Sequence, residues 1–183
     1  METDGALIER SLRGRPDAFV EVVRRHEVPV HGFLARRAGR QAADDLLGEV
    51  WVRAFAARDG YDQGHDDARP WLYGIARNVL RAHWRARRDT DHAAAREAVD
   101  PWDDVVDRLD SAARARVLVS AVRALPAAER DVLLLVAWEQ LTPAEAAVVL
   151  GVPQGTVRSR LHRARAALRP VLAAGPEGVE GKK

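Results

Sequence analysis

Residues 141–161 read LTPAEAAVVLGVPQGTVRSRL, and no other stretch of this chain restricts its fold so tightly. Thr142 can cap a helix that Pro143 starts, and Glu145 completes a Thr-x-x-Glu capping box. Ala146 and Ala147 permit close packing, and Gly151 can take the left-handed conformation that ends the helix. Pro153 and Gly155 then open a second helix. Two helices joined by a short turn centred on a glycine form a helix-turn-helix.

The second of these helices has one apolar stripe. At about 100° per residue, Val157, Leu161, Ala164 and Leu168 fall in one narrow arc that should pack on the first helix. Gly155, Ser159, His162, Arg163 and Ala166 lie opposite, with Arg158 and Arg160 on the flanks. Residues 151–169 hold five arginines and no acid, whereas a solvated helix face normally alternates the two signs. An α-helix fits the major groove of DNA, where arginine can grip guanine O6 and N7 and Ser or His can take a single donor or acceptor. A solvated surface helix of a bundle is the plainer reading, and the missing glutamates count against it.

Charge is distributed unevenly along the rest of the chain. Residues 69–88 carry six arginines (69, 77, 81, 85, 87 and 88) and no acid, and a second acid-free interval runs from Ala146 to Pro176. Between them, residues 89–110 hold eight acids against two arginines. Two basic blocks around an acidic connector suggest two separate contacts with a polyanion. The arginine total by itself is equally explained by a GC-rich genome.

Hydrophobic periodicity is helical throughout, and no useful run alternates as a strand would. Phe19, Val22 and Val23 make an amphipathic stretch that Pro29 should end or kink before a short helix carrying Phe33 and Leu34. A third helix is expected from about Ala42 to Ala57. After the loop GYDQGHDD, a fourth runs from about Pro70 to Arg88 with Leu72, Ile75, Ala76 and Val79 as its buried stripe. Helices resume near Ala112, with Val117, Val119 and Val122, and after Leu125-Pro126 with Val132, Leu133, Leu135 and Val136. The expectation is an all-α chain of two small helical domains joined by an acidic linker, the C-terminal one a helix-turn-helix. Its parts are a lead (1–15), an N-terminal domain (16–88), the linker (89–111), a C-terminal domain (112–172) and a disordered tail (173–183).

The absence of cysteine excludes a disulfide framework, thiolate metal sites and a cysteine nucleophile. The first residues lack the apolar core of a secretory signal, and no apolar run approaches the ~18 residues of a membrane span. Cytoplasmic placement without membrane insertion is therefore expected. The six histidines (26, 31, 65, 83, 92 and 162) offer no pair at ligand spacing, and no phosphate-binding glycine loop is present. Neither a metal nor a cofactor is expected. Asp44, Asp45 and Glu49 lie on one helix, which leaves little support for a metal-dependent nuclease.

The stretch LTPAEAAVVLGVPQGTVRSRLHRARAAL closely resembles the C-terminal DNA-binding domain of bacterial sigma factors of the extracytoplasmic-function (ECF) class. The segments DAFVEVVRRH, AADDLLGEVWVRAF and RPWLYGIARNVLRAHWRARR resemble the other domain of the same family, in its order and spacing. The resemblance implies a non-enzymatic, dissociable subunit that gives RNA polymerase core its promoter specificity. Arg158, Ser159, His162 and Arg163 then match positions that read or grip the minus-35 element, with Arg160 and Arg165 better suited to phosphates. Trp71, Arg77, Asn78, Arg81, Trp84 and Arg85 fall where the family handles the melted minus-10 strand. Trp71 is equally explained by core packing, whereas Trp84 has fewer apolar neighbours and fits stacking better.

Asp44, Asp45, Leu46, Glu49 and Trp51 belong to the helix that, in the family, docks on a coiled coil of the polymerase's largest subunit. The C-terminal domain would contact the flap of the second-largest subunit. Gly48 stands where the family usually carries glutamine, which removes a hydrogen-bonding group and costs ~1 kcal/mol relative to alanine in mid-helix. The linker would thread through polymerase, as a nucleic-acid mimic or as a simple tether. Many family members are held inactive by an anti-sigma factor, which the resemblance admits as a further partner. A stand-alone helix-turn-helix repressor or activator explains the C-terminal helices equally well but leaves the arginines around Trp84 without a purpose.

Overall fold

The computed structural model describes residues 2–90 and 113–173, with eight α-helices and two short 3-10 turns among them. The chain divides into two compact units, residues 1–101 and 102–183. The acidic connector, beyond the two positions that close the fourth helix, and the C-terminal tail lie outside the described residues.

The first unit contains α1 (Asp4–Leu12), α2 (Phe19–Ala38), α3 (Arg40–Ala56) and α4 (Arg69–Thr90). The lead of residues 1–15 thus carries a helix that belongs to the core, for Leu7 and Ile8 are fully buried. Its anchor is polar. Asp4, buried at the start of α1, accepts from Arg25 (3.0 Å) and from the Ala68 backbone N–H (3.0 Å), and meets His26 Nε2 at 2.6 Å. Its own N–H donates to Asp66 O at 3.1 Å. Burial raises the Asp4 carboxyl's pKa, but the hydrogen bonds from His26, Ala68 and Arg25 outweigh it and hold the group below its usual range. The loop before α4 approaches so closely that a Cβ on Gly5 would sit 2.8 Å from Gln63 O and 2.9 Å from His65 O. Only glycine fits there.

Of the two outcomes expected at Pro29, an end or a kink, the helix does not end; α2 runs from Phe19 to Ala38 with the proline inside it. The missing N–H and the ring clash cost about 3 kcal/mol. Against that, Val22, Val30, Phe33 and Leu34 are all buried along one face spanning the proline, at about 1.5–3 kcal/mol each. Tertiary burial wins. Phe33 stacks on Tyr73 of α4 with centroids 4.8 Å apart, and Ala43, Leu46, Val50 and Ala54 of α3 complete the core. The buried stripe of α4 is Leu72, Tyr73, Ala76, Val79 and Leu80; Ile75 is only half-buried, contrary to expectation.

The second unit contains α5 (Ala113–Arg123), α6 (Ala127–Ala137), α7 (Pro143–Leu150) and α8 (Gln154–Ala173). Val119, Val122 and Leu125 cluster with Ala164 and Leu168 of α8. Val132 and Leu135 of α6 are buried, whereas Val117, expected inside, is exposed.

Candidate nucleic-acid interface

The turn between α7 and α8 is built by the local chemistry expected of it. Thr142 Oγ1 accepts from the Glu145 N–H at 3.2 Å, and Glu145 Oε2 accepts from the Thr142 N–H at 2.7 Å. Gly151 takes the left-handed conformation, with φ at 66°, and its N–H closes on Ala147 O at 2.9 Å. The chain then reverses into α8, with the Thr156 N–H bonded to Pro153 O.

Val157, Leu161, Ala164 and Leu168 are all buried, which fixes how α8 is rotated about its axis. Gly155, Arg158, Ser159, His162, Arg163, Arg165 and Ala166 are exposed as a result, and Arg160 is half-buried. Ser159 Oγ donates to Thr156 O at 3.0 Å, which leaves its lone pairs for an outside donor. Arg163 Nε donates to Glu129 Oε1 of α6 at 2.7 Å. Glu129 was not singled out from the sequence, because its partner lies 34 residues away.

The second basic block lies on α4. Measured around the helix from Trp71 at about 100° per residue, Asn78, Arg85, Arg81, Arg77 and Trp84 follow in one continuous arc of about 140°. The buried stripe occupies the opposite side. Asn78, Arg81 and Arg85 are exposed, while Trp71, Arg77 and Trp84 at or near the ends of the arc are half-buried. Trp71 meets Tyr61 edge-on at 5.1 Å, and Tyr61 is itself fixed by donating its hydroxyl proton to His65 O at 2.8 Å. Trp84 meets His83 at 5.1 Å, and the Arg87 guanidinium lies 5.7 Å from its ring centroid. Both indoles are therefore held partly by protein and partly open to solvent.

On α3, Asp44, Asp45 and Glu49 are exposed. Asp44 pairs with His31 at 2.9 Å, and Glu49 pairs with Arg53. Leu46 is buried in the core, so it supports this face from behind, and Trp51 is half-buried with its indole N–H enclosed and without a hydrogen-bond acceptor among the described residues. Val52, 70% exposed, joins the acids on this face and was not singled out from the sequence. A Cβ on Gly48 would meet nothing within 4 Å. Asp4, His26 and Asp67 bring ligand atoms within 4.8 Å of one another. Asp4 already accepts from Arg25, His26 and Ala68. Among the described residues, no helix is long and apolar enough to cross a membrane.

Each of the two helical units carries an arginine-bearing outward arc, a surface suited to a polyanion such as nucleic acid. The Sigma-70, region 4 family profile matches residues 115–168, and the Sigma-70 region 2 profile matches residues 22–90. The chain is 34% identical over 167 residues to RNA polymerase sigma factor CarQ of Myxococcus xanthus, covering 90% of this chain and 95% of CarQ. It is 31% identical over 179 residues to ECF RNA polymerase sigma factor SigC of Mycobacterium tuberculosis, covering 96% and 94%. Among solved structures it is similar to CnrH in complex with the cytosolic domain of CnrY, with a TM-score of 0.66 and 28% identity over 94% of this chain and 98% of CnrH. The chain belongs to the ECF class of RNA polymerase sigma factors. It is a transcription initiation factor that recognises promoters.

Proposed function

We propose that the two arginine-bearing arcs read the two halves of one promoter and that the protein catalyses nothing itself, acting by holding polymerase core and DNA together. Arg158, Ser159, His162 and Arg163 read the minus-35 element from the major groove, and Arg160 and Arg165 grip flanking phosphates. Trp71, Trp84 and Asn78 receive unstacked bases of the minus-10 strand, and Arg77, Arg81 and Arg85 hold its backbone. Asp44, Asp45, Glu49 and Trp51, backed by Leu46, form a carboxylate-edged ridge suited to a basic helical partner, the coiled coil of the largest polymerase subunit. The C-terminal unit meets the flap of the second-largest subunit. An anti-sigma factor, of the kind that structures of related sigma factors contain, is a further partner.

The observation that carries this reading is the rotation of α8: burial of Val157, Leu161, Ala164 and Leu168 turns an acid-free face outward. The test is run-off transcription on fragmented genomic DNA from the source organism, with polymerase core alone and with core plus this protein. Discrete transcripts that require both support the proposal, and their aligned start sites give the promoter elements. No transcripts, with specific duplexes retained by the protein alone, would replace it with a stand-alone regulator.

A further inference from the structure

We infer that Glu129, which lies on α6 and not on the recognition helix, is a positioning residue that sets base discrimination by Arg163. The inference rests on the reading of α8 as the minus-35 reader. Arg163 Nε donates to Glu129 Oε1 at 2.7 Å, and the two side chains differ in exposure, 59% for Arg163 and 14% for Glu129. The carboxylate is thus the fixed end of the pair and the guanidinium the presented end. Bonding through Nε leaves both Nη groups, with their four N–H bonds, to form an end-on fork, the geometry that matches guanine O6 and N7.

The pair's stabilising effect on the fold is small. An ion pair with one partner this exposed contributes little, and α8 is already fastened by Val157, Leu161, Ala164 and Leu168. Its main consequence is geometric. A free arginine side chain holds rotamer entropy that a base contact must overcome, and a tethered one has given up part of it before DNA arrives. Glu129 is itself well held, in the first turn of α6 where the helix dipole favours a carboxylate, and its backbone N–H is bonded to Pro126 O at 2.9 Å. A carboxylate at this place also repels phosphate, so it disfavours binding at sites where Arg163 finds no base to grip.

The experiment uses holoenzyme formed from polymerase core and the full chain, on a promoter recovered by run-off transcription, with each minus-35 base pair replaced in turn. Wild type is compared with Glu129→Ala, Glu129→Asp, Glu129→Gln, Arg163→Ala and the Glu129→Ala/Arg163→Ala double variant. Arg163→Ala should flatten the preference at a particular base pair. Glu129→Ala should lower discrimination at that same base pair by about three- to tenfold and add nothing once Arg163 is gone. Glu129→Asp keeps the charge and the helix start but withdraws the oxygen from Nε, so it should behave like alanine even if the alanine variant folds poorly. Glu129→Gln keeps an acceptor in place and should retain most of the discrimination. Equal losses at every base pair, or losses that persist without Arg163, would overturn the inference and leave Glu129 a packing residue. A wild-type holoenzyme with no upstream preference would overturn the reading of α8 itself, and that failure is visible before any variant is compared.

Discussion

At the scale of single residues, the most heavily used side chain in the first unit is Asp4, which ties α1 to α2 through Arg25 and His26 and to the loop before α4 through Ala68. Replacing it with alanine leaves buried donors unpaired, and a loss of about 3 kcal/mol is expected from urea unfolding at neutral pH. Because the folded carboxyl is depressed below its unfolded value of 3.8, its contribution is complete above that value and is lost as the pH falls through the lower folded one. Asp4→Asn should therefore flatten the acid limb of the stability profile below about pH 4. Asn78 tests the promoter-opening role separately. It is exposed between the two indoles on the arc of α4, so Asn78→Ala should leave closed complexes intact and impair opening. Permanganate reactivity of thymines near the start site would report this, and unchanged reactivity would count against the role.

At the scale of elements, the α7–α8 pair was legible in the sequence because its determinants are local: Thr142, Glu145 and Gly151 act within one turn of where they sit. What was not legible depends on partners distant in the chain. The first helix had a local start signal, Thr3 accepting from the Ala6 N–H at 3.3 Å, but its burial was not legible, since one of the bonds to Asp4 comes from a backbone 64 residues on. Pro29 misled for the complementary reason, local chemistry outweighed by an apolar face that only the folded unit assembles. The outward positions of α8 could be projected from its stripe, but Glu129 could not, because periodicity describes one helix at a time. Gly48 on α3 offers an element-scale test. It is exposed and faces open space, so Gly48→Ala should stabilise the first unit by about 1 kcal/mol, seen as a higher urea midpoint. A lower midpoint would mean that α3 is held differently.

At the scale of the whole molecule, each unit has its own core and its own basic arc, and the function assigned to them is divided likewise. The arginines of those arcs have a consequence beyond fit. If Arg77, Arg81 and Arg85 on α4 and Arg160 and Arg165 on α8 each engage one phosphate, binding displaces about five condensed cations, and affinity falls steeply as salt rises. Doubling the potassium concentration should weaken promoter binding by holoenzyme about twentyfold, and a filter-binding series in KCl would measure the slope. Removing any one of these arginines should make that slope shallower by about one. Promoter occupancy then responds to osmotic state without a dedicated sensor: swelling or drying of the cell, by altering its potassium, shifts initiation at every promoter this protein serves.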